Sequence, residues 1–293
     1  MNGPAVKRVI VGYDGSPQAS AAVHVGALLL PHAHAWITSL WTPPFADEKL
    51  RRQLWSGGRR LDEFMEAVER EGEWRASCIA DIGVTLARAA GWHAESLLRR
   101  VEGGEGLQLA QLAEDMAPDL VLVGARGLGG VRAVLGSVSD MVVHYSPKPV
   151  LVVPHPLLST EYAALADGPV VLGWDASSGA QIALTATERL LPDRNLLLVR
   201  VDDDTTLDGS VILPPMPSGR ALVPLRVKAG HGTPAQAVAN SLIACARDHE
   251  AALVVVGSRG RSAIREIMLG SVAMATLHHA HRPVLVVPDT DRR

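Results

Sequence analysis

The 293 residues are 47% hydrophobic and 20% charged, which describes a folded chain with a sizeable core rather than disorder, long enough for one large domain or two ordinary ones. A formal net charge of −3, with no long run of Lys and Arg, excludes nucleic acid or an anionic membrane as the main partner. The longest largely apolar run, Ala19 to Leu30, contains His24, stops at Pro31 and is too short to cross a bilayer.

The N-terminal MNGPAVKRVIVGYDG runs almost directly into an apolar strand ending at Asp14, without the apolar segment and cleavage site of a signal peptide, so a cytoplasmic chain is expected. A small polar residue after the Asp can cap the helix pattern that follows. His32 and His34 are placed in a connecting loop, without a role, ahead of a second strand near Trp36 to Trp41. The amphipathic LDEFMEAVEREGEWRASCIADIGVTLARAAG predicts one long helix or two, broken near Gly72. Cys78 within it and Cys245 in a later alanine-rich helical stretch have no Cys-x-x-Cys spacing and read as small buried hydrophobes.

From Leu120 to Pro154 the chain reads LVLVGARGLGGVRAVLGSVSDMVVHYSPKPVLVVP: a strand, a glycine-punctuated turn, a helix pattern opened by Gly136-Ser137, and an apolar last strand. A short linker, HPLLSTEYAALADGP, follows. The plan then repeats. VVLGWDASSGAQIAL answers VIVGYDGSPQASAAV, with Asp175 lying 161 residues after Asp14. Gly257 and Gly260 answer Gly124 and Gly127 at 133; Gly270, Ser271, Pro283 and Pro288 answer Gly136, Ser137, Pro149 and Pro154 at 134. One residue is therefore missing from the first copy between Gly127 and Gly136, and the second half has lost a net 28 residues upstream of its glycines. That loss falls after the strand Leu196 to Val201, where DDDTTLDGSVILPPMPSGRA is too rich in Asp, Gly and Pro for a helix of any length.

Runs such as LVLVG and VLVVP are apolar at every position, as strands covered on both faces are. The expected fold class is α/β: two tandem doubly wound, mostly parallel five-stranded sheets, over 1–155 and 168–293, the second lacking one crossover helix.

In such a sheet, ligands sit beyond the carboxyl ends of the strands where the winding reverses, and the glycine stretch begins there. Glycines let backbone N–H groups approach a phosphate, and the helix opened by Gly-Ser offers unpaired N–H groups to an anion. Asp14 and Asp175 suit ribose hydroxyls, with a plain helix cap as the alternative. Arg126 and Arg259 either pair with phosphate oxygens or face solvent.

An Asp closing the first strand, then G-x-x-G, nine residues, G-[ST] and a PVLVVP-like last strand resemble the universal stress protein family, here as a tandem protein with two such domains. The resemblance implies an adenine-nucleotide alpha-hydrolase-like fold and ATP as the ligand. One site would comprise Asp14, Gly124, Arg126, Gly127, Gly136, Ser137 and the backbone of Val138. The other would comprise Asp175, Gly257, Arg259, Gly260, Gly270, Ser271 and the backbone of Val272. Both copies depart from the family pattern. Only eight residues separate Gly127 from Gly136, and Ala273 stands where Ser139 does in the first copy and where Ser or Thr is usual. Asp202, Asp203 and Asp204 could hold Mg²⁺ beside that ligand or repel phosphate; the preferred reading is a solvated loop.

Other constellations weigh less. His278, His279 and His281 end a helix, where the dipole favours histidine, with no Cys or carboxylate nearby in sequence to complete a metal site. Ser56-Gly57-Gly58 lies far from the first strand and lacks the Asp of an ATP-pyrophosphatase loop. Nothing is arranged as general base, acid and nucleophile, so any ATP hydrolysis is expected to be slow and incidental. The resemblance also implies pairing through the last strands, either between the two repeats or in a homodimer. The expectation is an ATP-binding regulatory protein acting on a protein partner; the alternatives are a scaffold with one or both sites empty and, behind it, an ATP-cleaving enzyme.

Overall fold

The continuous apolar runs become short strands: β1 (Arg8–Gly12), β2 (His34–Trp41), β3 (His93–Arg100), β4 (Leu120–Arg126) and β5 (Val150–His155), then β6 (Val170–Gly173), β7 (Leu196–Asp202), β8 (Leu222–Lys228), β9 (Leu253–Gly257) and β10 (Val284–Val287). They belong to a computed structural model that describes residues 6–55, 60–126, 136–202, 222–229, 232–258 and 269–289. Between them lie α1 (Pro17–Leu29), α2 (Glu48–Trp55), α3 (Leu61–Ala89), α4 (Glu105–Met116), α5 (Ser137–Tyr145), α6 (Ser159–Ala164), α7 (Ser178–Leu190), α8 (Pro234–Asp248) and α9 (Ser271–His279).

Each half is parallel throughout, and the orders β3-β2-β1-β4-β5 and β8-β7-β6-β9-β10 correspond strand for strand. The chain winds outward from β1 in one direction and returns beyond it to β4, so the winding reverses between β1 and β4, and likewise between β6 and β9. The expected doubly wound plan is therefore present in both halves.

The two sheets do not stand apart. β5 and β10 pair antiparallel, Val284 with Val152, Leu285 with Leu151 and Val286 with Val150, making one sheet of ten strands. Leu151 and Leu285 are the same residue of the repeat, so a local two-fold passes between them. One core covers the α1, α3 and α7 face, with Ile37, Leu122, Leu172 and Leu198; the other lies under α4, α5, α8 and α9, with Leu109, Val123, Leu242 and Val256. Both cores contain residues of both halves. At the junction four leucine pairs related by the repeat surround one small apolar gap: Leu29 and Leu190, Leu30 and Leu191, Leu120 and Leu253, Leu151 and Leu285. Asp119 adds a polar tie, accepting from the backbone N–H of Arg8 at 2.9 Å and from Arg189 Nη1 of the other half at 2.9 Å.

One open alternative is decided here and two expectations change. α3 runs unbroken through Gly72, because that glycine serves packing: a Cβ there would lie 2.9 Å from the Trp41 ring. The linker is not a plain connection, since α6 lies within it and Tyr162 stacks on His24 of α1 with ring centroids 5.7 Å apart. Arg194 holds its end, donating to the carbonyls of Leu165 at 2.6 Å and Gly168 at 3.1 Å. Finally, Cys78 is exposed; Ala76, Ala80, Gly83 and Ala87 turn inward, which puts residue 78 on the outer side of α3, whereas Cys245 is buried as expected. The 203–221 segment, with the expected missing helix, and Ser56-Gly57-Gly58 lie outside the described residues.

Candidate functional site

At the end of β1, the chain leaves the sheet through Tyr13, whose N–H is held by the Thr38 carbonyl at 2.9 Å; Trp174 does the same with Val199 at 2.8 Å. The aspartates follow. Asp14 Oδ1 accepts from the N–H of Ser16 at 2.9 Å, and Asp175 Oδ1 accepts from Ser177 at 2.9 Å. These are turns closed by an Asp side chain, not helix caps. The caps are Ser16 and Ser177, whose hydroxyls accept from Ala19 and Ala180, each at 3.2 Å. Between Asp and Ser the backbone is left-handed in both copies, at Gly15 with φ 78° and at Ala176 with φ 61°.

The glycine stretch starts beside this turn, because β4 neighbours β1 and β9 neighbours β6. Gly124 is required there by contact with protein: a Cβ would stand 2.4 Å from the Gln18 carbonyl oxygen in the first turn of α1. Gly136 and Gly270 are the N-cap residues of α5 and α9, with matching extended backbones (φ −61°, ψ 151° and φ −63°, ψ 148°) and no side-chain hydrogen bond onto the first turn. Here α5 and α9 differ from α1 and α7, whose starts are closed by serine. Ser137 and Ser271 are exposed, and Val138 and Val272 are half-buried against the core of that face.

The two copies fasten these helix starts differently. In the first half the buried Ser139 hydroxyl donates to the Gly124 carbonyl at 2.8 Å, tying α5 to the end of β4. In the second half Ala273 is buried and has no such donor, and the Gly270 N–H instead donates to the Ser258 carbonyl at 2.7 Å. The Ser258 hydroxyl in turn accepts from the Asp289 N–H at 3.1 Å. The Ser-to-Ala departure thus exchanges one structural tether for another, and comparing only the motif positions missed Ser258.

Asp14, Gly124, Gly136, Ser137 and Val138 are therefore placed at one switch point, and Asp175, Gly257, Gly270, Ser271 and Val272 at the other. Gly127, Arg259, Gly260 and the Arg126 side chain lie outside what is described. Asp202, read as part of a solvated loop, is the last residue of β7 and is doubly paired, with Arg200 Nε at 2.7 Å and Arg226 Nε at 3.3 Å. Asp203 and Asp204 are outside the described residues. His34, read as loop, opens β2 and meets Glu95 Oε1 at 2.9 Å. Among the described residues no three His, Cys, Asp or Glu side chains gather as a metal group, and no helix is long and apolar enough to cross a membrane.

Fold and site define a doubly wound α/β protein with two matched switch points, each receiving an Asp turn and a glycine-opened helix. The sequence profile of the universal stress protein family matches residues 5–154 and 168–288, so the chain belongs to that family and carries its domain twice. It is 27% identical over 308 residues to a universal stress protein of Mycolicibacterium smegmatis, covering 95% of this chain and 96% of that one. A universal stress protein of Mycobacterium tuberculosis is 26% identical over 315 residues, with 96% of each chain covered. One from Thermus aquaticus is 31% identical over 157 residues, spanning 50% of this chain and 98% of its own length. Among solved structures, a universal stress protein of Archaeoglobus fulgidus superposes with a TM-score of 0.65 at 18% identity, covering 96% of this chain and 98% of that one, which supports the fold.

Proposed function

We propose that the chain binds ATP at its glycine-opened helix starts and acts as a regulatory element for a protein partner, with little or no turnover. The units are 1–155 and 168–293, one candidate site in each. The observation that carries this reading is the repeated contrast between serine-capped α1 and α7 and the open starts of α5 and α9. N–H groups that, among the described residues, have no side-chain acceptor are suited to phosphate oxygens, and the helix dipole adds to the attraction. Asp14 and Asp175, each holding a turn through Oδ1 at the end of a first strand, would accept from ribose hydroxyls. ATP with Mg²⁺ would supply the triphosphate that these helix starts receive, and the bound nucleotide would serve as a signal; among the described residues no paired base and nucleophile accompanies them.

Native mass spectrometry of the purified full chain, with and without ATP and Mg²⁺, tests this. One or two bound nucleotides are expected, and Gly127→Glu and Gly260→Glu assign them to repeats. Two would mean the eight-residue spacing still works. Failure to bind at millimolar ATP would leave the scaffold reading, and rapid phosphate release would revive the enzyme.

A further inference from the structure

We propose that the second half carries a separate binding site for a small oxyanion, a carboxylate or phosphate, in the cleft between α6, the end of α8 and the turn from α9 to β10. A cavity of ≈ 190 Å³ opens there, lined among others by Glu161 of α6, Asn240 and Arg247 of α8, and His279, His281 and Arg282. It stands apart from the glycine-opened helix starts, which lie at the other end of α9.

Arg282 is the anchor. The residue is only 6% exposed, and Nη1 donates to the Ala251 carbonyl at 2.7 Å. A guanidinium has five N–H donors, and among the described residues no carboxylate lies within 4 Å of this one. Among the described residues no fully buried polar side-chain atom is left without a partner, so the donors that Arg282 does not use keep some access to solvent, and the cleft is the space it lines. Burial pushes the guanidinium below its ordinary value, while Glu161 and Glu250 act in the opposite direction from farther away. A buried cation without a contacting counter-ion is costly, and an oxyanion gripped by the guanidinium fork offsets that cost.

The other groups agree. Among the described residues His279 and His281 have no hydrogen-bond or ion-pair partner, and Arg247 stands exposed at the rim, with Nε on its neighbour Asp248 at 3.1 Å. Glu161, the one carboxylate lining the cleft, accepts from the Leu158 N–H at 2.8 Å through Oε2, which ties that side chain to the start of α6. The carbonyl end of α9 opposes an anion, and the guanidinium groups of Arg282 and Arg247 on the lining act against it.

The scaffold does not demand this set. At the repeat offsets of 133 and 134, the first half has Glu114 for Arg247, Tyr145 for His279, Pro147 for His281 and Lys148 for Arg282. Three of the four Arg or His positions thus have no basic side chain in the first half, and the set is a property of one half. Its volume, equal to about six waters of liquid, is below the roughly 300 Å³ at which pockets begin to enclose drug-sized ligands. That suits phosphate or a short dicarboxylate better than a nucleotide.

The test follows the imidazoles of His279 and His281 by ¹⁵N-resolved NMR in the full chain. Succinate and inorganic phosphate are titrated separately against chloride at constant ionic strength. Saturating shifts at both histidines with either anion are expected, and the anion that saturates identifies the source. Arg282→Lys should weaken binding about tenfold by losing the fork. Because Arg282 also holds Ala251, the exposed Arg247→Ala carries the same expectation without touching the core. ATP uptake should be unchanged in both, which keeps this site separable from the glycine-loop sites. Shifts that stay linear into the tens of millimolar, or saturation unaffected by Arg247→Ala and Arg282→Lys, would overturn the proposal.

Discussion

Gly15 and Ala176 hold the same left-handed turn, but only glycine does so without a Cβ penalty. Ala176→Gly should therefore stabilise the protein by about 1 kcal/mol, and Gly15→Ala should cost about the same, as measured by urea denaturation. The Asp, the turn and the capping Ser were legible as a pattern, since their side chains act within three residues of themselves. Which group capped the helix was not, because Asp and Ser are equally good acceptors until the backbone fixes the distance. Cys78 was misread for a related reason. Trp74, Ile82 and Leu86 are exposed on the same helix that buries Ala76 and Ala80, so hydrophobicity alone did not identify the inner face. The consequence is measurable: one thiol, Cys78, should react with a disulfide reagent in the native protein. Cys245, buried and with its thiol pKa raised by that burial, should react only on unfolding.

Among elements, the strands were the most legible, because a run apolar at every position has few homes other than a sheet covered on both sides. Sequence left α3 as one long helix or two because a glycine in a helix has two explanations, weakness and close approach. Only the position of Trp41 against Gly72 decides between them. The start of α5 gives a sharper test of how the site is built. Ser139→Ala removes the bond to the Gly124 carbonyl and should cost about 1 kcal/mol. It should also raise amide exchange in the first turn of α5 more than elsewhere in the helix. The second half already has Ala273 at this place and relies on Ser258 instead, so Ser139→Ala should leave α9 unaffected.

For the whole molecule, the pairing of β5 with β10 decides which surfaces remain. Sequence could not choose between pairing within the chain and pairing between chains, since PVLVV presents the same edge to either partner. Once the two strands pair with each other, a homodimer through them is closed off, and among the described residues the free edges are β3 and β8. β3 ends in Arg99-Arg100, while β8 contains Pro224 and ends in Lys228, features that discourage edge pairing. The cores continue through the junction, so the halves should unfold as one unit despite being two family domains. Trp174 is the second half's one tryptophan, against five in the first, so fluorescence mainly follows the first half while circular dichroism follows both. The two urea transitions should coincide. Leu285→Ala, which empties the residue paired with Leu151, should lower both midpoints together at a cost of about 2–5 kcal/mol. Separation of the transitions in the wild type would mean that the ten-stranded sheet does not couple the repeats, and a nucleotide bound in one half would then have no packed route to the other.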